Sequence, residues 1–391
     1  MNIHKYKMRL CMHKTKSSHH NIIKLVMLGL VITLSSFAQA SGEEYLNYGL
    51  HWVNVDNNGN ETQEKGVDNN SNIIIDDVGY YDPSKPTVIY FHGWQSGMAE
   101  DDYSLEDFYF DDVDANTAKA WKDQGWNVGI YHWGQFADES ELKDAEAKIW
   151  SVQGDKGMRY RLDDGSYSTV QSPNGSLGDL AFKHITTALK GNYSGDIRFV
   201  GHSLGNQLAV VVAKNINEGV NDGSISDSLM PGRVDLLDPF WSQGDKNYLT
   251  GDWTGERVRS YIEDMISDQN TAVTWYKTSA IFDLWVGDQN TDLEKHVALI
   301  NNRFWYLSSV AIADKHVHAR KWYFMSMAYD APEEVTINWW GKRSKTGFDA
   351  ASAASSDDLI RTMMNDDEQW DQVEGRYTAD PSDDQFEVKD Y

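Results

Sequence analysis

Gly201-His202-Ser203-Leu204-Gly205 limits what this chain can fold into more than any other stretch. Before it, Asp196-Ile197-Arg198-Phe199-Val200 has the β-branched and aromatic content of a strand, and after it Gln207 to Lys214 contains no glycine or proline to interrupt a helix. A strand that turns through a glycine-flanked serine straight into a helix is a nucleophile elbow. The glycines allow the sharp turn and close helix packing, and the serine hydroxyl projects at the carboxyl edge of a sheet above a helix amino terminus. Nucleophilic acyl chemistry is the natural use of that geometry. In isolation the pentapeptide is also compatible with a plain tight turn, so its surroundings decide.

Those surroundings alternate. Pro86 to Phe91, Trp126 to Tyr131, Arg233 to Leu237 and Ala272 to Tyr276 read as strands; Ala115 to Gln124, Leu142 to Trp150 and Leu177 to Leu189 read as helices. The alternation predicts an α/β fold with a mostly parallel central sheet and helices on both faces. Ahead of it, strand-like pieces at Tyr45 to Val55 and Ile73 to Ile75 flank turn-rich Asp-Asn-Asn runs, as in an entrance hairpin. Residues 41–391 are expected to form one domain, with an acidic extension from about residue 331. Trp339, Trp340, Phe348 and Trp370 favour a packed extension over a disordered one, because disordered tails lack aromatics.

Residues 1–40 have the form of an export signal: six basic residues between Lys5 and Lys24, an apolar core from Leu25 to Phe37, then Ala38-Gln39-Ala40. The core is short for a stable membrane span, and the expected destination is outside the cytoplasm, secreted or periplasmic. The one cysteine, Cys11, lies in that segment, so the exported chain has no disulfide and relies on its core. A net charge of −25 makes nucleic acid an implausible partner. An anionic membrane would repel such a surface, so lipid contact has to depend on a local apolar patch.

An acyl-transfer serine needs a base, an acid that orients the base, and donors for the oxyanion. On an elbow of this type the chain order is serine, acid, histidine. Three histidines lie far enough along, His296, His316 and His318; His296 sits among charged residues and reads as a surface side chain. Between His316 and His318 the residues leave the choice open. Asp238 ends a strand as Leu236-Leu237-Asp238-Pro239, and the proline stops the strand with the carboxylate at the carboxyl edge. Its rival Asp235 is in mid-strand and would point into the packing. Phe91-His92-Gly93-Trp94 closes another strand with a glycine, offering the Trp94 amide as one oxyanion donor beside the amide of Leu204. His92 reads as a hydrogen-bonding brace for that loop. No cofactor is called for, and the acidic run from Asp111 to Asn116 lacks the features of a calcium loop, reading as a solvated face.

Four blocks together resemble the pancreatic-type lipase family of α/β-hydrolases: Val88 to Trp94, Trp126 to Trp133, Ile197 to Gly205 and Asp235 to Pro239, with His318-Ala319-Arg320 similar to the segment around the family's histidine. The resemblance spans about residues 86 to 325. It implies the α/β-hydrolase fold, Ser203 as nucleophile, Asp238 as acid, His318 as base, and the amides of Trp94 and Leu204 as oxyanion hole. The activity it implies is ester hydrolysis of acylglycerols through an acyl-enzyme, with phospholipase A1 action or a non-catalytic lipid-binding role as alternatives. The family's disulfides are absent, His132 stands where an aspartate is common, and no appended β-sandwich follows, so a colipase-like partner is not expected. The aromatic-rich stretch within 240–315, which includes Trp241, Trp253, Trp275, Phe282, Trp285, Phe304 and Trp305, is expected to be either a lid or a packed cap.

Overall fold

Thr87–Phe91, a threonine followed by four hydrophobic residues in a row with both faces buried, has the signature of a strand covered by helices on each side. In the computed structural model, which describes residues 46–68, 70–74, 79–98, 106–189, 193–280, 287–365 and 367–391, this strand lies within a twelve-stranded sheet. The export-signal segment and the aromatics Phe282 and Trp285 lie outside the described residues. Among the described residues no helix is long and apolar enough to cross a membrane.

In chain order the sheet strands are β1 (Gly49–Val55), β2 (Glu61–Lys65), β3 (Thr87–Phe91), β4 (Asn127–His132), β5 (Ile197–His202), β6 (Arg233–Leu237), β7 (Ala272–Lys277), β8 (Ala298–Asn301), β9 (Glu333–Ile337), β10 (Arg343–Asp349), β11 (Glu368–Glu374) and β12 (Gln385–Asp390). Their spatial order is β10-β9-β12-β11-β8-β7-β6-β5-β3-β4-β1-β2. The run from β4 to β11 is parallel throughout. An entrance hairpin is present, with β1 antiparallel to both β2 and β4, but its second arm is Glu61–Lys65 and not the expected piece at Ile73: Ile73 makes only an isolated bridge to Val67, and Ile75 lies outside the described residues.

Alternation along each strand divides the core between two faces. Ile89, Phe91, Phe199, Val234, Leu236, Val273 and Trp275 pack with helices α2 (Leu142–Trp150), α3 (Leu177–Ala188), α4 (Gly205–Asp222) and α5 (Thr254–Gln269). Val88, Tyr90, Val200, Leu237, Tyr276 and Ile300 face α1 (Ala118–Asp123), α6 (Ile312–Ser326) and α7 (Asp357–Met363). The chain leaves β3 toward β4 by way of α1 on one face, and continues from β5 to β6 and β7 by way of α4 and α5 on the other. The winding therefore reverses between β3 and β5, which makes their carboxyl ends the crevice of the sheet.

Two expectations for the later chain meet the structure here. Most of the stretch 240–315 is built into the fold: it supplies α5, β7 and β8, and Trp241 packs edge-on against Trp275 in the core with ring centroids 5.0 Å apart. The C-terminal residues add β9 to β12 to the sheet, with Trp370 fully buried and its Nε1–H donating to Glu334 at 2.7 Å. Trp339, Trp340 and Phe348 are instead exposed on the outermost hairpin.

Candidate active site

The elbow glycines are required by space. A Cβ on Gly201 would fall 2.4 Å from the Asn206 Cα, and one on Gly205 would fall 2.0 Å from the Phe91 carbonyl oxygen. Between them Ser203 adopts φ 56°, a left-handed conformation that a non-glycine residue holds only under constraint. Asn206 supplies that constraint: its Nδ2 donates to the carbonyls of Ser203 (3.0 Å) and Leu237 (3.1 Å), and its Oδ1 accepts from Leu237 N (3.1 Å). The Phe240 amide closes the turn by donating to Ser203 O at 3.3 Å. This clamp was missed in the sequence; a polar residue in the first turn of an otherwise apolar buried helix is the signal for it.

Asp238 also has positive φ, at 39°, one residue beyond the end of β6. Its buried carboxylate accepts from Thr278 N (2.8 Å), Ser279 N (3.1 Å), the Ser279 hydroxyl and His316 Nδ1 (2.7 Å). Burial pushes its pKa upward, but the donors, His316 foremost, outweigh burial and hold it below the ordinary carboxylate range.

His316, and not His318, is the histidine that meets Asp238. Both lie on α6 rather than on a loop, and two residues of helix turn about 200°. His316 is thereby directed inward with Ala319, Arg320 and Tyr323, whereas the His318 Nδ1–H donates to the Asp314 carbonyl at 2.7 Å and its Nε2 lies 3.4 Å from Asp112. His318 sits between Tyr306 and Phe304, with burial and Lys321 lowering its pKa. The assignment of His318 as base therefore has to be corrected. The signal in the sequence was the helical spacing 316, 319, 320 and 323, which the resemblance, pointing to His318, did not use.

His202 joins the two halves of the site. Its Nε2–H donates to the His316 carbonyl at 2.9 Å, and the two rings stand 4.4 Å apart. Burial, followed by the proximity of His316, pushes its pKa down to about 3, so it is neutral under ordinary conditions. His316 Nδ1 is engaged by Asp238, which leaves Nε2 for a proton from the serine. Among the described residues the Ser203 hydroxyl makes no hydrogen bond, and its nearest described neighbours include the Gly93 backbone.

On the other side of Ser203 is the loop after β3. A Cβ on Gly93 would fall 2.7 Å from Ser203 Cβ, so only glycine lets this backbone approach the hydroxyl. Neither the Trp94 amide nor the Leu204 amide donates to an acceptor among the described residues, and Leu204 opens the 18-residue α4. His92 braces the loop: its Nδ1 is 3.0 Å from the Gly93 carbonyl, its Nε2 accepts from Trp133 N at 3.0 Å, and Trp133 Nε1 donates to the His92 carbonyl at 2.8 Å. The Gly93 carbonyl shares a peptide plane with the Trp94 amide, so fixing one fixes the other. His132 is buried beside it, 2.7 Å from Gln63 Oε1, a neutral partner for a histidine that burial holds well below its usual pKa.

The remaining candidates take structural roles. Asp235 is fully buried in mid-strand, where it accepts from Arg233 Nε (2.7 Å), Thr274 Oγ1 (2.5 Å) and Tyr323 OH (2.6 Å). His296 lies at the surface 3.4 Å from Glu263. In the acidic run, Asp112 is engaged by Lys321 at 2.5 Å, and no cluster of metal-ligating side chains occurs among the described residues. No protein-family model matches the chain, and no curated protein is detectably similar to it.

Proposed function

We propose that this protein is an exported serine ester hydrolase of the α/β-hydrolase fold that cleaves acyl esters of glycerolipids, with Ser203 as nucleophile, His316 as base and Asp238 as the acid that orients it. The observation that carries the proposal is the buried 2.7 Å contact between His316 and Asp238, on the same sheet edge as a strained serine flanked by two unengaged amides. The α/β-hydrolase assignment is supported by the serine's place, directly after a central parallel strand at the point where the winding reverses.

In this reading Ser203 Oγ attacks the ester carbonyl as its proton passes to His316 Nε2. The oxyanion is held by the amides of Trp94 and Leu204, and the imidazolium by Asp238. His316 then protonates the departing alcohol, and water repeats the sequence on the acyl-enzyme. Acylglycerol as the substrate class follows from the resemblance to pancreatic-type lipases.

The direct test compares the parent protein with Ser203→Ala on p-nitrophenyl butyrate, with fluorophosphonate labelling alongside. A loss of about 10⁴-fold or more together with loss of labelling is expected; equal rates would end the proposal. Fatty acid release from triolein and from phosphatidylcholine, measured side by side, separates a triacylglycerol lipase from a phospholipase A1. A folded parent that binds lipid but takes no fluorophosphonate would be a non-catalytic relative.

A further inference from the structure

We infer that the loop 304–313, joined to Arg376 and Tyr377, is a fixed platform that docks the protein on a lipid–water interface of low negative charge. The inference rests on the hydrolase reading for its orientation and names the surface at which that site works. Residues 304–313 run Phe-Trp-Tyr-Leu-Ser-Ser-Val-Ala-Ile-Ala, ten positions without a charge in a chain that is 24% charged and carries a net −25. Much of the stretch is open to solvent: Val310 is 84% exposed and Trp305 47%, with Tyr306, Leu307 and Ile312 half-buried. Tyr377, 69% exposed, stands edge-on to Trp305 at 5.5 Å. A contiguous apolar surface of this kind on an acidic protein marks a contact site.

Its position favours lipid over other partners. The loop leaves the carboxyl end of β8 and runs directly into α6, four residues ahead of His316, and Arg376 follows β11, which runs parallel to β8. The platform is therefore on the same edge of the sheet as Ser203, and a surface lying against it faces the site. The global charge repels an anionic bilayer, while a largely apolar patch bearing Val310, Trp305 and Tyr377, with the Arg376 guanidinium laid over the Trp305 ring, suits the interfacial layer of neutral or zwitterionic lipid.

The platform is also held in place. The Arg376 carbonyl accepts from both Trp305 N (2.8 Å) and Tyr306 N (3.2 Å), and the Arg376 guanidinium lies 3.8 Å from the Trp305 ring centroid. The Ala311 amide donates to Ser308 O at 3.0 Å, and the His318 ring wedges beside Tyr306. Docking here requires no opening movement, and two of the platform's residues, Arg376 and Tyr377, come from the C-terminal segment, beyond the reach of the lipase resemblance.

The test is co-flotation of the protein with a triolein emulsion coated with phosphatidylcholine, comparing the parent, Val310→Asp, and a Trp305→Ser/Tyr377→Ser double variant, each also assayed on soluble p-nitrophenyl butyrate. At least a tenfold loss of emulsion binding is expected, with soluble hydrolysis unchanged within twofold. Variants that bind the emulsion like the parent overturn the platform. So does a parent that sediments as a dimer while Val310→Asp sediments as a monomer with undiminished emulsion binding, since the patch would then join two copies. Val310→Asp changes a side chain already in water and keeps the test open if the double variant folds poorly. If the parent fails to hydrolyse the soluble ester, the catalytic reading falls whatever the flotation shows.

Discussion

Asp235 and Asp238 are three residues apart on one strand and its exit, both fully buried, and they do opposite work. Asp235 sits within β6, with its carboxylate committed to Arg233 of its own strand, Thr274 of β7 and Tyr323 of α6. Asp238 lies one residue past the end of β6, its amide still donating to Tyr276 O at 2.8 Å, in a left-handed conformation, and directs its carboxylate to His316. The difference teaches that a position in mid-strand is consumed by packing, while the first residue beyond the strand is free to serve chemistry.

Substitutions at the two aspartates give the widest separation. Asp238→Asn should lower the turnover of soluble esters by about 10⁴-fold, since the imidazole loses its anionic orienter, with unfolding little affected in midpoint; a tenfold loss or less would make Asp238 a structural residue like its neighbour. The histidines sharpen the same contrast. His316→Ala should cost about 10³-fold or more in rate, and His318→Ala less than twofold, read from initial rates on p-nitrophenyl butyrate. Reversal of that pair would return the base to His318. Gly93→Ala should cost about 10²-fold, because the new methyl would displace a backbone amide directed at the oxyanion, a loss comparable to removing one donor. Asp235→Asn should leave the rate per folded molecule close to that of the parent while lowering stability by about 3 kcal/mol, the usual result of orphaning a buried arginine; urea unfolding reads it.

The effect of pH is graded and does not depend on the catalytic reading. Burial depresses the pKa of His51, His92 and His184 to about 4 and, with His316 nearby, that of His202 to about 3. The unfolded chain binds protons at these residues near pH 6.5, where the folded protein refuses them, so their contribution to stability is present above 6.5 and is lost as pH falls toward 4. Each contributes a slope of about 1.4 kcal/mol per pH unit in that window. A thermal midpoint that stays flat from pH 7 to 4.5 would contradict the buried, neutral assignment.

The central fold was legible because its strands are buried on both faces and read as predominantly apolar or β-branched runs, as at residues 88–91 and 272–276. Ser203, Asp238 and Gly93 were legible for a related reason: each sits where a strand ends, and glycine or proline punctuates the chain there. The histidine was not. His316 and His318 differ only in which side of a helix they occupy, and that is settled by Tyr323 and Ala319 packing on the sheet, a tertiary fact. The stretch 240–315 misled for a different reason. Aromatic content signals burial without saying against what, and Trp241 and Trp275 found each other inside the core while Trp305 found water. The C-terminal strands were hidden by polarity: β11 and β12 each carry only two apolar residues, Trp370 with Val373 and Phe386 with Val388, among polar and charged ones, a composition shared by solvated tails.

The order in which these groups leave the ribosome has a physiological edge. Gly93, Ser203 and Asp238 all emerge well before His316, and His316 is fixed by a helix that packs against the finished sheet. If the proposed hydrolase chemistry holds, a nascent or prematurely ended chain carries a serine with no partner to take its proton, and the cell that makes the protein would be shielded from that chemistry until His316 is in place.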